Sequence, residues 1–167
     1  MKRGVYPGSF NPPTVGHVAI VEAAIRLHEL DRIDLVVSEV ALAKPIIERP
    51  SLEERLQVIT ASFADIPEVK VLQTSLQLIA DIARGYDVVV MGADKWGQIN
   101  DLKFYDSEAH MHESLSSLPT LAVAPRNGEK VHESIRLDVP EMIDEISSSL
   151  ARRTNFEWMT KAAQDFS

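Results

Sequence analysis

A hydroxyl, a glycine and an imidazole stand close together at Thr14, Gly16 and His17, just after the turn-forming run Tyr6-Pro7-Gly8-Ser9-Phe10-Asn11-Pro12-Pro13. Behind them Val18, Val21 and Ile25 recur at helical spacing, and in front Gly4 to Tyr6 reads as a short strand. Thr14 is the natural N-cap of that helix, so Gly16 and His17 fall at its second and third positions. Backbone N–H groups there lack intrahelical acceptors, and the helix dipole favours an anion. Gly16 lets a phosphate approach closely, His17 can reach it, and Gly8, Ser9 and Phe10 form the loop that leads into the site. Taken singly, Gly8, Pro12 and Pro13 are ordinary turn residues and Thr14 would cap any helix. Their conjunction at a strand-to-helix junction points to a nucleotide-phosphate site.

Such a loop needs a parallel sheet to carry it, and apolar runs alternate with helical patterns along the chain as a doubly wound sheet requires. Asp34 to Val40 reads as the second strand, and Ser51 with Glu54 forms a capping box opening a helix from Leu52 to Phe63. Val69 to Leu72 is the third strand. Leu76, Ile79, Ala80 and Ala83 mark a helix that Gly85 ends, and Asp87 to Met91 reads as a strand buried on both faces. Thr120 to Ala124 supplies the fifth strand, and the polar stretch 98–117 holds a helical segment. These elements predict an α/β, doubly wound, Rossmann-like five-stranded parallel sheet with helices on both faces. One domain over residues 1–167 is expected, with 154–167 as a short helical tail that could pack on the core or on another subunit.

In a doubly wound sheet the ligand lies beyond the carboxyl ends of the strands, where strand order reverses. Strands one and four flank that crevice, and the loop expected to leave strand four is Gly92-Ala93-Asp94-Lys95-Trp96. Lys44 follows strand two and lies on the same rim, either as a solvated surface charge or as a mobile cation for a phosphate. Near the end of the chain, Ile146-Ser147-Ser148-Ser149-Leu150-Ala151-Arg152 combines hydroxyls with a cation at the expected start of a helix. That is either a serine-rich cap or a holder for a polyphosphate tail.

Composition narrows the classes. The chain has 167 residues, 45% of them hydrophobic and 25% charged, enough for one sizeable core. A formal charge of −8 disfavours a nonspecific nucleic-acid binder, which needs a basic face. With no cysteine, disulfides, thiolate metal sites and a cysteine nucleophile are excluded. No signal peptide or long apolar span is evident, so the expected location is cytoplasmic and no membrane partner is expected. A homo-oligomer remains open. His110 and His112 point to different sides if helical and would not chelate together there, while His28 and His132 have no partner evident in sequence. There is no G-x-G-x-x-G after the first strand and no G-K-S/T, so a dehydrogenase or P-loop ATPase is disfavoured.

The first segment resembles the G-S-F-x-P-x-T-x-G-H signature of the HxGH/TxGH nucleotidyltransferase superfamily. The Ile146 to Arg152 segment is similar to that superfamily's I-S-S-T/S-x-x-R motif, with Ser149 at the variable place and Arg152 at the arginine. The resemblance implies a single nucleotidyltransferase domain that moves a nucleotide from ATP to a phosphorylated small-molecule acceptor, with magnesium (Mg2+) bridging the phosphates. It implies that His17 donates to the α-phosphate, that Thr14 orients the nucleotide, and that Lys44 neutralises the approach of the acceptor. Ser147, Ser148, Ser149 and Arg152 would hold the outer phosphates, while Gly8, Ser9, Phe10, Gly16, Gly92 and Asp94 complete the nucleotide site. No protein ligand to a metal is expected.

The acceptor stays open. Tyr6 to Phe10 together with Thr14 is similar to phosphopantetheine adenylyltransferase of coenzyme A biosynthesis, but that family's R-G-L/I-R segment after strand four is missing. Val90 to Asp94 with Trp96 is more similar to the I-G-x-D segment of nicotinate or nicotinamide mononucleotide adenylyltransferases of NAD biosynthesis. Those relatives carry a histidine where Thr14 stands, and an R-P-G segment where this chain has Pro125-Arg126-Asn127-Gly128. The mononucleotide acceptor is preferred, with Trp96 as a stacking surface for its ring or as core. Cytidylyltransferases share the same phosphate-binding features, and a non-catalytic nucleotide sensor would keep the fold and the phosphate loops without the reaction.

Overall fold

Apolar runs alternating with helical segments form five parallel strands, β1 (Arg3–Gly8), β2 (Arg32–Ser38), β3 (Val69–Thr74), β4 (Val88–Gly92) and β5 (Thr120–Ala124). Their order is β3-β2-β1-β4-β5. The structure, a computed structural model, describes residues 1–39, 51–126, 131–140, 146, 151 and 155–166. On one face Tyr6, Ile33, Leu35, Val37, Val88 and Val90 pack with Ile20, Val21 and Ala24 of α1 (Val15–His28). Ile59 of α2 (Leu52–Ser62) and Phe63 join the same core. On the other face Val5, Val36, Val89, Met91 and Val123 meet α3 (Ile79–Ile82) and Ala93 and Ile99 of α4 (Ala93–Ile99). A five-stranded parallel sheet clothed on both faces is the fold that the alternation predicts.

The differences from the sequence reading are local. Strand two begins at Arg32 and ends at Ser38, and β3 extends to Thr74, while Val40 lies outside the described residues. Leu76 is not helical. Its N–H donates to Thr74 Oγ1 and its carbonyl accepts from Ser38 Oγ, so the segment turns and α3 starts only at Ile79. Gly92 to Trp96 is not a loop, because Gly92 is the N-cap of a helix that starts directly at Ala93. The 98–117 stretch resolves into the end of α4, a 3-10 turn at Leu102–Phe104 and α5 (Glu108–Ser116), which Ser107 caps. A second 3-10 turn at Phe156–Trp158 leads to α6 (Lys161–Phe166).

The two ends of the sheet are built differently. At the amino end, the fully buried Asp34 is held by Arg32 Nε at 2.6 Å, by Arg3 at 3.6 Å and by a hydrogen bond from the Tyr86 hydroxyl. Burial, and then that bond to Asp34, push the Tyr86 phenol up to about 12. The carboxylate is therefore desolvated but satisfied, and this end is closed. At the carboxyl end the β1–β4 ladder pairs Gly4 with Val88 and Val5 with Val89, whereas β1–β2 pairing runs on to Gly8 and Val37. Pro7, which has no N–H to offer, falls beyond that last β1–β4 pair. This is the point where strand order reverses, where a doubly wound sheet leaves a crevice.

Candidate active site

The turn from β1 into α1 is held by its own side chains. Thr14 is an extended N-cap (φ −123°, ψ 166°) whose Oγ1 accepts from the His17 backbone N–H at 3.3 Å. In return the Thr14 N–H donates to His17 Nδ1 at 2.9 Å, and Thr14 Oγ1 lies 3.1 Å from the same nitrogen. This is a capping box with histidine in the place usually taken by glutamate or glutamine. A nitrogen that accepts from a backbone N–H carries no proton, so the hydrogen-bond pattern assigns the neutral ring proton to Nε2. His17 is thereby set as a donor through Nε2 at the third position of the helix.

Electrostatics at this helix start are left open to an anion. No acidic residue occupies the first turn of α1, whereas α2 carries Glu53 and Glu54, α4 carries Asp94 and α5 carries Glu108. The first-turn N–H groups of Val15 and the buried Gly16 have no intrahelical acceptor, and their partial positive charge is not neutralised by a local carboxylate.

Phe10 holds the ring from the other side. Its backbone is left-handed (φ 45°), a conformation that costs a non-glycine residue energy and persists only where the surroundings impose it. Here the buried Phe10 ring stands edge-on to His17 at 4.9 Å and to Tyr6 at 5.0 Å. A Cβ on Gly8 would meet the Phe10 ring at 3.0 Å, so the glycine is what lets that ring sit there. Ser9 is partly exposed at the mouth of the turn.

Across the crevice, Gly92 caps α4, and a Cβ built on it would meet nothing within 4 Å, which leaves space for a ligand to pass. Asp94 lies in the first turn of α4, with Arg126 Nε 3.2 Å from its carboxylate. That pairing is an ion pair without hydrogen-bond geometry, so the buried Nε has no hydrogen-bond acceptor. Burial pushes the phenol of Tyr6, on β1, far up, and the Arg126 charge opposes that push. Trp96 packs, partly buried, against the core under α4.

The structure thus gathers Gly8, Ser9, Phe10, Thr14, Gly16 and His17 in one turn, with Gly92 and Asp94 on the neighbouring strand's rim. Lys44, Ser147, Ser148, Ser149 and Arg152 lie outside the described residues. Sequence reasoning did not single out Arg126 or Asn11. Arg126 has no local motif that would flag it. Asn11 is 6% exposed, and its Nδ2 is a buried donor without an acceptor, in the middle of the turn from β1 into α1. Such an orphan donor is costly in a folded protein, and its position beside two prolines was the available signal. The other histidines are accounted for by neighbours. His110 lies 3.8 Å from Asp106, just before the α5 cap, His112 lies 3.6 Å from Glu108 on α5, His28 is half-buried near the Lys2 charge, and His132 Nδ1 lies 2.7 Å from Ser134 Oγ.

A parallel sheet reversing its order at β1/β4, with a helix start free of carboxylates on the carboxyl rim, defines a doubly wound α/β protein whose open helix start lies where such folds take ligands. Comparison with known proteins narrows the class. Residues 5–154 match the Cytidylyltransferase-like family, and the chain belongs to that family. A phosphopantetheine adenylyltransferase of Dictyoglomus thermophilum is 37% identical over 91 residues, 54% of this chain and 52% of that protein. The match thus spans about half the length of that relative. A protein of Sulfurimonas denitrificans named "Probable nicotinate-nucleotide adenylyltransferase" is 28% identical over 166 residues, covering 92% of this chain and 84% of its own. The fold is shared with the nicotinic acid mononucleotide adenylyltransferase of Plasmodium falciparum complexed with NaAD. The TM-score is 0.69 at 17% identity, over 99% of this chain and 94% of that one.

Proposed function

We propose that the protein is an adenylyltransferase that moves AMP from ATP to the phosphate of a small acceptor, most simply nicotinate or nicotinamide mononucleotide, with release of pyrophosphate. The observation that carries this reading is the His17 ring, fixed by the Thr14 capping box as an Nε2 donor beside a helix start that no carboxylate neutralises. In the reaction an acceptor phosphate oxygen bonds to the α-phosphorus while the bond to the β-phosphate's bridging oxygen breaks, and pyrophosphate leaves. A phosphate monoester, with a second pKa of about 6, is largely dianionic near neutral pH, so no general base is required. The work left to the protein is to hold two anions in line and to stabilise charge on the α-phosphate and the leaving group.

His17 donates through Nε2 to an α-phosphate oxygen, and the N–H groups at the start of α1 add to the same field. Gly92 and Asp94 take the nucleoside side of the crevice, with Arg126 beside them. The motif resemblance assigns Lys44 to the acceptor phosphate, and Ser147, Ser148, Ser149 and Arg152 to the β- and γ-phosphates. Among the described residues no group of three or more His, Asp or Glu side chains could hold a metal. A magnesium ion carried by phosphate oxygens and water would neutralise charge on the outer phosphates.

The mononucleotide acceptor is supported by the Sulfurimonas relative, whose similarity runs over 92% of the chain, and by the Gly92-Ala93-Asp94 start of α4. Phosphopantetheine is the second reading, because the 37% identity to the Dictyoglomus enzyme is higher, although over 54% of the chain. The deciding experiment measures pyrophosphate release with magnesium, using ATP and CTP each against nicotinate mononucleotide, nicotinamide mononucleotide and 4′-phosphopantetheine, with His17→Ala as control. Release with ATP and a pyridine mononucleotide, lost in the variant, is expected. Release with 4′-phosphopantetheine alone moves the assignment to the second reading, and silence throughout despite ATP binding overturns both acceptor assignments.

A further inference from the structure

The segment after residue 155 does more than cover the core. Between the 3-10 turn and α6 it runs antiparallel to the phosphate loop, bridging Met159 to Thr14, and the Thr160 N–H donates to the Pro13 carbonyl at 3.1 Å. That carbonyl belongs to the same peptide group whose N–H, on Thr14, donates to His17 Nδ1 at 2.9 Å. A peptide group is planar, so fixing its C=O direction fixes its N–H direction. Hydrogen bonds in series also polarise one another, so the bond from Thr160 strengthens the donor that faces the imidazole.

Thr160 is itself anchored on two sides. Its Oγ1 accepts from the Ala163 N–H at 3.2 Å and lies 2.7 Å from Ser62 Oγ at the end of α2. Ser62 Oγ already donates to the Val58 carbonyl at 2.7 Å, so the proton between the two hydroxyls comes from Thr160. The chain of donors runs from Ala163 through Thr160 and Ser62 to Val58. Met159 and Ala163 are buried in a small cluster with Ala151, against which Val58 packs. The strap is therefore tied to α2 by side chains and to the phosphate loop by backbone.

We propose that this strap sets the orientation and tautomer of the His17 imidazole through the Pro13–Thr14 peptide group, with Thr160 as the positioning residue. The inference rests on His17 being the phosphate-facing donor of the proposed reaction, but its first readout does not. Thr160→Pro removes the N–H donor and the hydroxyl together, while Met159 is already extended (φ −69°, ψ 149°) and suits the place before a proline. Thr160→Ala removes the hydroxyl and keeps the N–H, and Thr160→Ser restores both.

The ring nitrogens of His17 are followed by 15N NMR without substrate, alongside pyrophosphate release. In the wild type, Nδ1 is expected to be unprotonated and Nε2 protonated. In Thr160→Pro the two signals are expected to move toward an average, and kcat to fall by roughly ten- to a hundred-fold with KM for ATP little changed, as for a misoriented group. Thr160→Ala should shift both readouts part of the way, and Thr160→Ser should restore them. A folded Thr160→Pro protein with a wild-type ring pattern and kcat overturns the proposal. If that variant does not fold, the same result in Thr160→Ala overturns it. A shifted ring in a protein silent toward every acceptor would remove the proposed reaction and leave the strap's role standing.

Discussion

Replacing His17 takes away three separable things. Its Nδ1 accepts the Thr14 N–H at 2.9 Å, a neutral hydrogen bond worth about 1 kcal/mol of stability. Its ring stands edge-on to Phe10 at 4.9 Å, a contact worth about 0.5–1.5 kcal/mol. The third, the proposed donation from Nε2 to the α-phosphate, would act only in the reaction, and losing such a donor costs about 2.7–4 kcal/mol of transition-state stabilisation. His17→Ala is thus expected to unfold about 2 kcal/mol more easily and to lose roughly a hundred- to a thousand-fold in kcat/KM. His17→Gln divides these losses. Glutamine is an ordinary capping-box partner, so its carbonyl oxygen can take the Thr14 N–H while its amide N–H points outward. The cap should be retained, and because His17 moves no proton in the proposed reaction, a neutral amide donor is adequate in kind. The expected order of rates is wild type, then Gln, then Ala, with Gln near wild type in stability. Urea unfolding midpoints and steady-state pyrophosphate release measure the two axes. A folded His17→Ala protein at the wild-type rate refutes the reasoning; equal slowness of Gln and Ala, with the cap intact, would instead demand a proton transfer at His17.

Gly8→Ala places a Cβ about where the Phe10 ring lies 3.0 Å away, and that ring is held between Tyr6 and His17. Overpacking of this kind costs about 1–3 kcal/mol, so a lowered urea midpoint is expected together with a lowered kcat, and an unchanged kcat would free His17 from Phe10. Tyr86→Phe acts at the opposite end of the sheet by removing a hydrogen bond to the fully buried Asp34. It should cost about 1.5–3 kcal/mol in urea unfolding and leave pyrophosphate release unchanged; a large loss of activity would contradict the separation of the two ends. His28 is held below its usual pKa by partial burial and then by the Lys2 charge. The unfolded chain therefore binds that proton first, so this group costs nothing above about pH 6.5 and destabilises the fold as pH falls through that value. His28→Gln should show a shallower loss of urea midpoint on acidification than the wild type, and parallel curves would remove the effect.

What the sequence made legible is what local interactions decide. Thr14 and His17 are three residues apart, and so are Ser51 and Glu54; in each pair the cap that the spacing suggests is present. The strands could be read because β-structure buried on both faces writes itself as unbroken apolar runs, as in Val88 to Met91. The failures have the same origin. Leu76 carries an apolar side chain at helical spacing from Ala80, but Ser38, from another strand, captures its carbonyl. Arg126 meets Asp94 because strand order puts β5 beside β4, a pairing that the residues around position 126 do not show. The strap was unassignable for that reason too, since Thr160 and Pro13 stand at opposite ends of the chain.

This division bears on why the two acceptor readings compete. The groups proposed to act on the transferred phosphate are held by contacts three or four residues long, and the signature that encodes them is similar in families with different acceptors. On the proposed reading, substrate selectivity comes from side chains brought together by strand order, as Asp94 and Arg126 are. A short motif can therefore identify phosphate handling while leaving the acceptor open, and substitutions on the β4–β5 rim should alter KM for one substrate without abolishing transfer. Asp94→Asn keeps the size of the side chain but removes the charge opposite Arg126. If the rim carries selectivity rather than chemistry, KM for ATP or for the acceptor will change while kcat stays within a few fold, whereas His17→Ala will show the reverse. Equal loss of kcat in both variants would place the rim in the transferring machinery and undo the separation.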